Sequence, residues 1–246
     1  LVVRQIRIQR ADHVVLEHLL LHDGSQLRLA DILPPRASDV GAKAGTWPSE
    51  VSARAELEAL ALGKSVLLSA TGSAHDRYGR HVAHVFVEDE GKRIWLQAQL
   101  IRQGLARVLG KAPQDACARA LLEAEAGARK ERRGLWAEAA YDVRRADAPD
   151  VLIPLRGTFQ VVEGRVGQVT RSRADLRLAL GETKRRFALR IRLPTAVARE
   201  AEKDQARITE GTMVRVRGWL EERSDGPVID LSLGGSLELL QARPDG

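Results

Sequence analysis

Aromatic side chains are scarce: four Trp, two Tyr and three Phe make up 4% of the 246 residues. A strong binder of single strands stacks successive bases on such rings, so their scarcity argues against one. Cysteine occurs once, at Cys117, which excludes an intrachain disulfide framework. Its place in the apolar run 116–122 marks it as a buried helix residue. No stretch approaches the roughly 20 apolar residues of a membrane-spanning helix. Neither a signal-peptide pattern nor a start methionine opens the chain, so a removed leader remains compatible with it. Heptads, long low-complexity segments and short internal repeats are also missing; two β-barrels in tandem would be the nearest thing to a repeat.

Charge is plentiful. There are 39 Lys and Arg against 33 Asp and Glu, a net +6. The excess is uneven, with 22 basic against 20 acidic side chains up to residue 150 and 17 against 13 beyond it. Between Arg156 and Arg192 ten Lys or Arg meet only Glu163, Asp175 and Glu182. Such a local surplus attracts a polyanion; the plain alternative is a solvated barrel surface.

The length suits two domains, each with its own core. From Val2 to Ile32 three strands are expected, broken at Arg10-Ala11-Asp12 and at His22-Asp23-Gly24-Ser25, the second a strong hairpin signal. After Pro34-Pro35 and a polar loop to Trp47-Pro48, Ser49 is expected to cap a helix that ends at Leu62-Gly63. Its apolar face reads as Val51, Ala55, Leu57 or Leu60, and Ala61. A strand at 64–70 and a hairpin of 80–87 with 92–95 follow, then helices over 96–103 and 115–133. Residues 142–155 read as a linker. Beyond them strands are expected at 159–169, 176–180, 187–193, 212–221, 228–231 and 236–240, with a helix at 195–203 between the third and fourth. The glycines of the first of these strands predict a sharp bend.

Four segments stand out as an ordered set: Arg28-Leu29-Ala30, Asp76-Arg77-Tyr78-Gly79-Arg80, Gln103-Gly104-Leu105-Ala106, and Ala124-Glu125 through Arg129 to Gly134-Leu135-Trp136. Together they resemble the staphylococcal nuclease (thermonuclease) family over roughly residues 4–141. The resemblance implies a mainly β fold with helices (α+β): a nuclease-like oligonucleotide-binding (OB) barrel over 1–141, followed at 156–246 by a second small OB-like β domain. It also implies nucleic acid, DNA or RNA, as partner, Ca²⁺ as cofactor if the domain is active, and export to the periplasm or beyond. A protein partner stays open.

Phosphodiester cleavage needs positive charge on the phosphoryl oxygens, an activated water and usually a metal. Aligned with the family's pattern, Arg28 and Arg80 match its two phosphate arginines. The same alignment puts Leu33 where the family has a calcium-binding Asp, Pro34 where it has a small residue lending a carbonyl, and Arg36 where a Glu activates water. Leucine offers calcium nothing and arginine cannot take a proton from water, so the general base is expected to be lost at Arg36. Asp12, in the expected turn, and Asp31 are the remaining carboxylates for a metal. Tyr78 is placed to stack on a base or to pack. Without the family pattern, Arg28 reads as a strand-edge ion pair and Arg80 as a hairpin cap through Asp76. His81 and His84 fall on opposite faces of one strand, which speaks against a histidine metal site. Trp95, Trp136 and Trp219 read as core anchors.

In the second domain Lys184, Arg185 and Arg186 precede Phe187, and Arg190 and Arg192 alternate on one strand face, a basic stripe suited to substrate phosphates. Three functions follow. The first is nucleic-acid binding by a nuclease-like domain whose metal and base sites have degenerated. The second is a metal-dependent phosphodiesterase using another acid, and the third is a protein-binding scaffold.

Overall fold

The computed structural model describes residues 7–40, 47–110, 116–181, 189–202, 207–223, 226–231 and 235–240. They fall into two compact units: Leu1–Val108 with Ala116–Ala140, and Leu109–Asp115 with Tyr141–Gly246.

In the first unit β1 (Arg7–Val15), β2 (His18–Leu21) and β3 (Gln26–Leu29) form a meander, followed by the two-residue β4 (Ile32–Leu33). Helix α1 (Pro48–Ala61) then leads to β5 (Ser65–His75), β6 (His81–Asp89) and β7 (Lys92–Trp95). Helix α2 (Leu96–Arg102), β8 (Arg107–Val108) and α3 (Ala116–Lys130) complete it. The sheet order is β3-β2-β1-β5-β6-β7, and β3 also pairs in parallel with β6, Leu27 beside His81 and Leu29 beside Ala83. That extra pairing closes five strands into an OB-like barrel, which removes the open sheet edges. Alternation supplies the core: Leu19, Leu21, Leu27 and Leu29 point inward from β2 and β3, and Leu57, Leu100, Ile101 and Leu121 cover them from the helices. Each such side chain contributes about 1.5–3 kcal/mol on burial.

Two local expectations change. The chain does not turn at Arg10-Ala11-Asp12: β1 runs through it, and the register against β2 slips between Ala11 and His13, so Asp12 is the extra residue of a β-bulge. The turn comes at Leu16-Glu17, with Leu16 at φ 46. Helix α1 is preceded by Trp47, which makes no side-chain cap, and opens on Pro48, whose missing N–H costs nothing in a first turn. The Ser49 hydroxyl donates instead to Glu138. Its buried face is Ala53, Leu57 and Ala61, four residues apart, while Val51 is exposed.

Two of the family segments are fixed by backbone contact. Gly104 and Gly134 meet at the end of α2 and after α3, where the Leu135 N–H donates to the Gly104 carbonyl at 2.9 Å. A Cβ on Gly104 would lie 2.0 Å from the Arg133 carbonyl oxygen, and Gly104 has φ 70. Only glycine fits such an approach. Glu125 of α3, fully buried, accepts from the Val108 N–H at 2.8 Å.

The second unit contains β9 (Arg144–Arg145), the short α4 (Pro149–Leu152), β10 (Phe159–Arg171), β11 (Asp175–Leu180) and β12 (Leu189–Pro194). Helix α5 (Thr195–Glu202), β13 (Met213–Arg223), β14 (Gly226–Asp230) and β15 (Gly235–Leu240) follow. The stretch read as a linker thus carries β9 and α4. The sheet order is β15-β13-β14-β12-β11-β10-β9, with β13 also paired to β10, so five strands close here too. The long β10 bends as its glycines predict: residues 159–165 pair with β13 and residues 166–171 with β11. A Cβ on Gly164 would lie 2.5 Å from that of Ala146. In both barrels the first strand pairs with the second and fourth and the third runs parallel to the fifth, with a helix between the third and fourth. The cores hold what the alternation expects, except that Trp219 is 41% exposed, its ring edge against Phe159.

Candidate functional site

The hairpin 76–80 is built around one carboxylate. Asp76 accepts from the backbone N–H of Tyr78 at 2.9 Å and of Arg80 at 3.1 Å, while Gly79 takes φ 77. The same side chain accepts from Arg80 Nε at 2.8 Å, and Arg80 Nη1 donates to His18 Nε2 at 2.7 Å. Arg80 therefore caps the hairpin, as its bare sequence context suggests. It is not consumed by that role, since Asp76 and His18 leave N–H donors on both terminal nitrogens. Burial, which alone would raise the Asp76 carboxyl, is outweighed by Arg80 and the two backbone N–H groups, which hold it at about 2. Tyr78 is 67% exposed, its ring 4.9 Å from both the Arg77 and the Arg80 guanidinium.

Three further side chains, Arg28, Glu17 and Arg36, surround His18, the imidazole that Arg80 bonds. Arg28 on β3 is the register partner of His18 on β2 and of Val82 on β6, so barrel closure carries it towards the base of the hairpin. It joins no ion pair among the described residues. The Leu29 N–H donates to the Glu17 carbonyl at 2.8 Å, which ties the β1–β2 turn to the end of β3. Arg36, in the segment after β4, donates to Glu17, whose side chain is 2% exposed. Burial foremost, and then the Arg80, Arg28 and Arg36 guanidiniums, push His18 below its ordinary value against the opposing pull of Glu17. Because an arginine N–H can only donate, His18 Nε2 accepts from Arg80, and the lowered value favours the neutral imidazole that this needs. Three guanidiniums, one imidazole and two paired carboxylates, Glu17 with Arg36 and Asp76 with Arg80, thus form a single electrostatic cluster.

Glu17 and His18 were not singled out by the sequence, because the strand break was placed at Asp12. The signal was there: a polar Glu-His pair separates two apolar runs, Val14-Val15 and Leu19 to Leu21. Asp12 sits on the bulge, where it meets His22 Nδ1 at 2.9 Å and Arg10 at 3.2 Å. Asp31 occupies the tight turn between β3 and β4 at φ 57. Leu33 points into the core.

Calcium takes about six to eight oxygen ligands. At the matching positions this chain offers a buried Leu33, Pro34 and Arg36, and Glu17 is already engaged by Arg36. No group of three or more His, Cys, Asp or Glu side chains converges among the described residues. At these matched positions the side chains present do not fit a divalent cation.

Lys184, Arg185, Arg186 and Phe187 lie outside the described residues. Arg190 and Arg192 stand on the outer face of β12, where they alternate with the buried Leu189, Ile191 and Leu193. None of the helices among the described residues is long and apolar enough to cross a membrane.

The first unit is therefore a closed OB-like barrel with arginines gathered around one end of β2, β3 and the 76–80 hairpin. Residues 26–138 match the staphylococcal nuclease homologue family, and the N-terminal unit is a domain of that family. The second barrel lies beyond the matched residues. No curated protein matches the chain.

Proposed function

We propose that the first barrel binds nucleic acid through its phosphates and has no metal-dependent hydrolytic activity. Arg28 and Arg80 act as guanidinium forks, which suit phosphate oxygens bidentately, and Arg36 adds a third cation where the family has an acid. Tyr78, exposed beside them, offers a face for one base. The observation that carries this reading is the Glu17–Arg36 pair. A water-activating base needs a carboxylate free to accept a proton, and Glu17 is buried against a guanidinium. His18 uses its Nε2 lone pair on Arg80. What remains is a positive corner that holds phosphate without activating water.

The test is to incubate the protein with labelled single- and double-stranded DNA and RNA, with Ca²⁺, with Mg²⁺ and with chelator, reading retardation and cleavage together. Salt-sensitive retardation without cleavage is expected. Metal-dependent cleavage that Arg80→Ala abolishes would overturn the reading, and binding to neither DNA nor RNA would leave the scaffold reading ahead.

A further inference from the structure

The outer face of the second barrel carries a basic cavity of about 440 Å³. Strand register builds it from two cross-strand rows. In one, Gln168, Ala179, Arg190 and Val228 are successive partners on β10, β11, β12 and β14. In the other, Thr170, Arg177 and Arg192 stand side by side and lead to Asp230. The inward residues of the same strands, among them Leu178, Leu180, Leu189 and Leu193, fill the barrel core. Ala179 and Val228 are the short side chains of their row, and the four lining arginines, 177, 190, 192 and 223, rise around them.

These arginines are held in different ways. Arg192 is fixed by two carboxylates, Asp175 at 3.0 Å and Asp230 at 2.9 Å, and Arg177 shares Asp175 at 3.2 Å. Neither aspartate is among the residues that line the cavity. Arg223 reaches Glu221 only at 3.5 Å and Asp230 only at 3.6 Å. Burial, and then the nearby Arg223 charge, push Arg190 below its ordinary value. Two guanidiniums that repel each other over a recess gain from an anion between them.

The lining also says what kind of anion. Its arginines are donors only, so the ligand must present acceptor oxygens, while Gln168 and Thr170 can meet a hydroxyl or an ester oxygen. No aromatic side chain lines the cavity among the described residues, whose donors grip acceptor oxygens rather than stack a base. Arg190 and Arg192 lie two residues apart along β12, about 6–7 Å, which suits a ligand with more than one anionic group.

We infer that this cavity is a second phosphate site, which takes the sugar-phosphate backbone of a nucleic-acid strand and does not read its bases. It shares its substrate class with the first barrel but stands on other residues.

The test uses the whole chain, with fluorescence anisotropy of two labelled oligomers of equal length, one of thymidylate and one abasic, and inorganic polyphosphate as competitor. Three variants are compared: R190E/R223E, R190K/R223K and R28A/R80A. R190E/R223E should weaken both oligomers about tenfold or more at low salt. It should also flatten the dependence of log affinity on log salt by about 1.4, the loss of two single-strand phosphate contacts. R190K/R223K, which keeps the charge, should bind within a few-fold of the parent, and thermal melting controls for folding. Unchanged binding by a folded R190E/R223E would overturn the inference. Thymidylate binding without abasic binding would overturn it too, since bases would then be read, and so would polyphosphate binding with no affinity for the abasic oligomer. Loss in R28A/R80A alone would sink this site and leave the first-barrel reading standing; loss in R190E/R223E alone would do the reverse.

Discussion

Arg36 donates to the buried Glu17 carboxylate, from the segment after β4 to the turn between β1 and β2. A cation stands where the family pattern has an acid, and the carboxylate facing it comes from a turn that the sequence places less visibly. The pair closes a cluster that already contains Arg28, Arg80 and His18.

Breaking that pair from one side leaves a charge without its partner. Arg36→Ala should destabilise the first barrel by about 3 kcal/mol, because Glu17 is then buried and uncompensated. The double substitution Glu17→Gln with Arg36→Ala should cost less than the sum of the two single ones. Urea unfolding of the four proteins measures the coupling; additive costs would mean that the pair contributes nothing.

His18 gives the site a pH dependence of known sign. Its folded value lies below the unfolded 6.5, so below that pH the unfolded chain binds more protons. Stability should fall as pH drops from about 6.5 towards the folded value and stop falling beneath it. Phosphate affinity should move the other way, since a protonated His18 adds a fourth cation. His18→Gln should flatten both curves in thermal melts and oligonucleotide titrations run from neutral to mildly acid pH.

Asp76 acts further into acid. Its folded value of about 2 lies below the ordinary 3.8, so its contribution is present above 3.8 and is lost as pH falls towards 2. Asp76→Asn should remove this part of the acid-unfolding profile, and a profile identical to the parent's would show that the hairpin does not depend on the carboxylate.

Gly104 has no room for a side chain. Gly104→Ala combines a positive φ with a clash against the Arg133 carbonyl, so it should cost at least about 2 kcal/mol. Gly79→Ala, at a positive φ but with open space around it, should cost less. Chemical denaturation of the two variants orders them.

Most of the architecture was legible because apolar alternation and turn glycines agree with it. Leu19, Leu21, Leu27 and Leu29 sit inward as their spacing predicts, and Gly63 and Gly104 stop their helices. The missed turn has a physical cause. Asp12 looks like a strand breaker, but a bulge accommodates an extra polar residue within a strand, whereas Leu16 accepts a positive φ that sequence alone assigns to Gly or Asn. Placing the break four residues early hid Glu17, and with it the partner of Arg36. Arg28 and Arg80 were picked out by pattern alone, and what relates both to His18 is the pairing of β3 with β2 and, in parallel, with the distant β6. Of the basic stripe read over Lys184–Arg186, Arg190 and Arg192, the last two line the cavity of the second barrel, and Arg177 and Arg223 join them only through the fold.

The central claim is that the first barrel holds nucleic-acid phosphates with guanidinium alone. Its most direct test is the affinity of a labelled oligonucleotide, followed by anisotropy in chelator and in Ca²⁺, for the parent protein and for R28A/R80A. We predict equal affinity with and without calcium, an intact oligonucleotide at the end of the titration, and binding about tenfold or more weaker in R28A/R80A. Calcium-dependent shortening of the oligonucleotide, abolished in R28A/R80A, would contradict it.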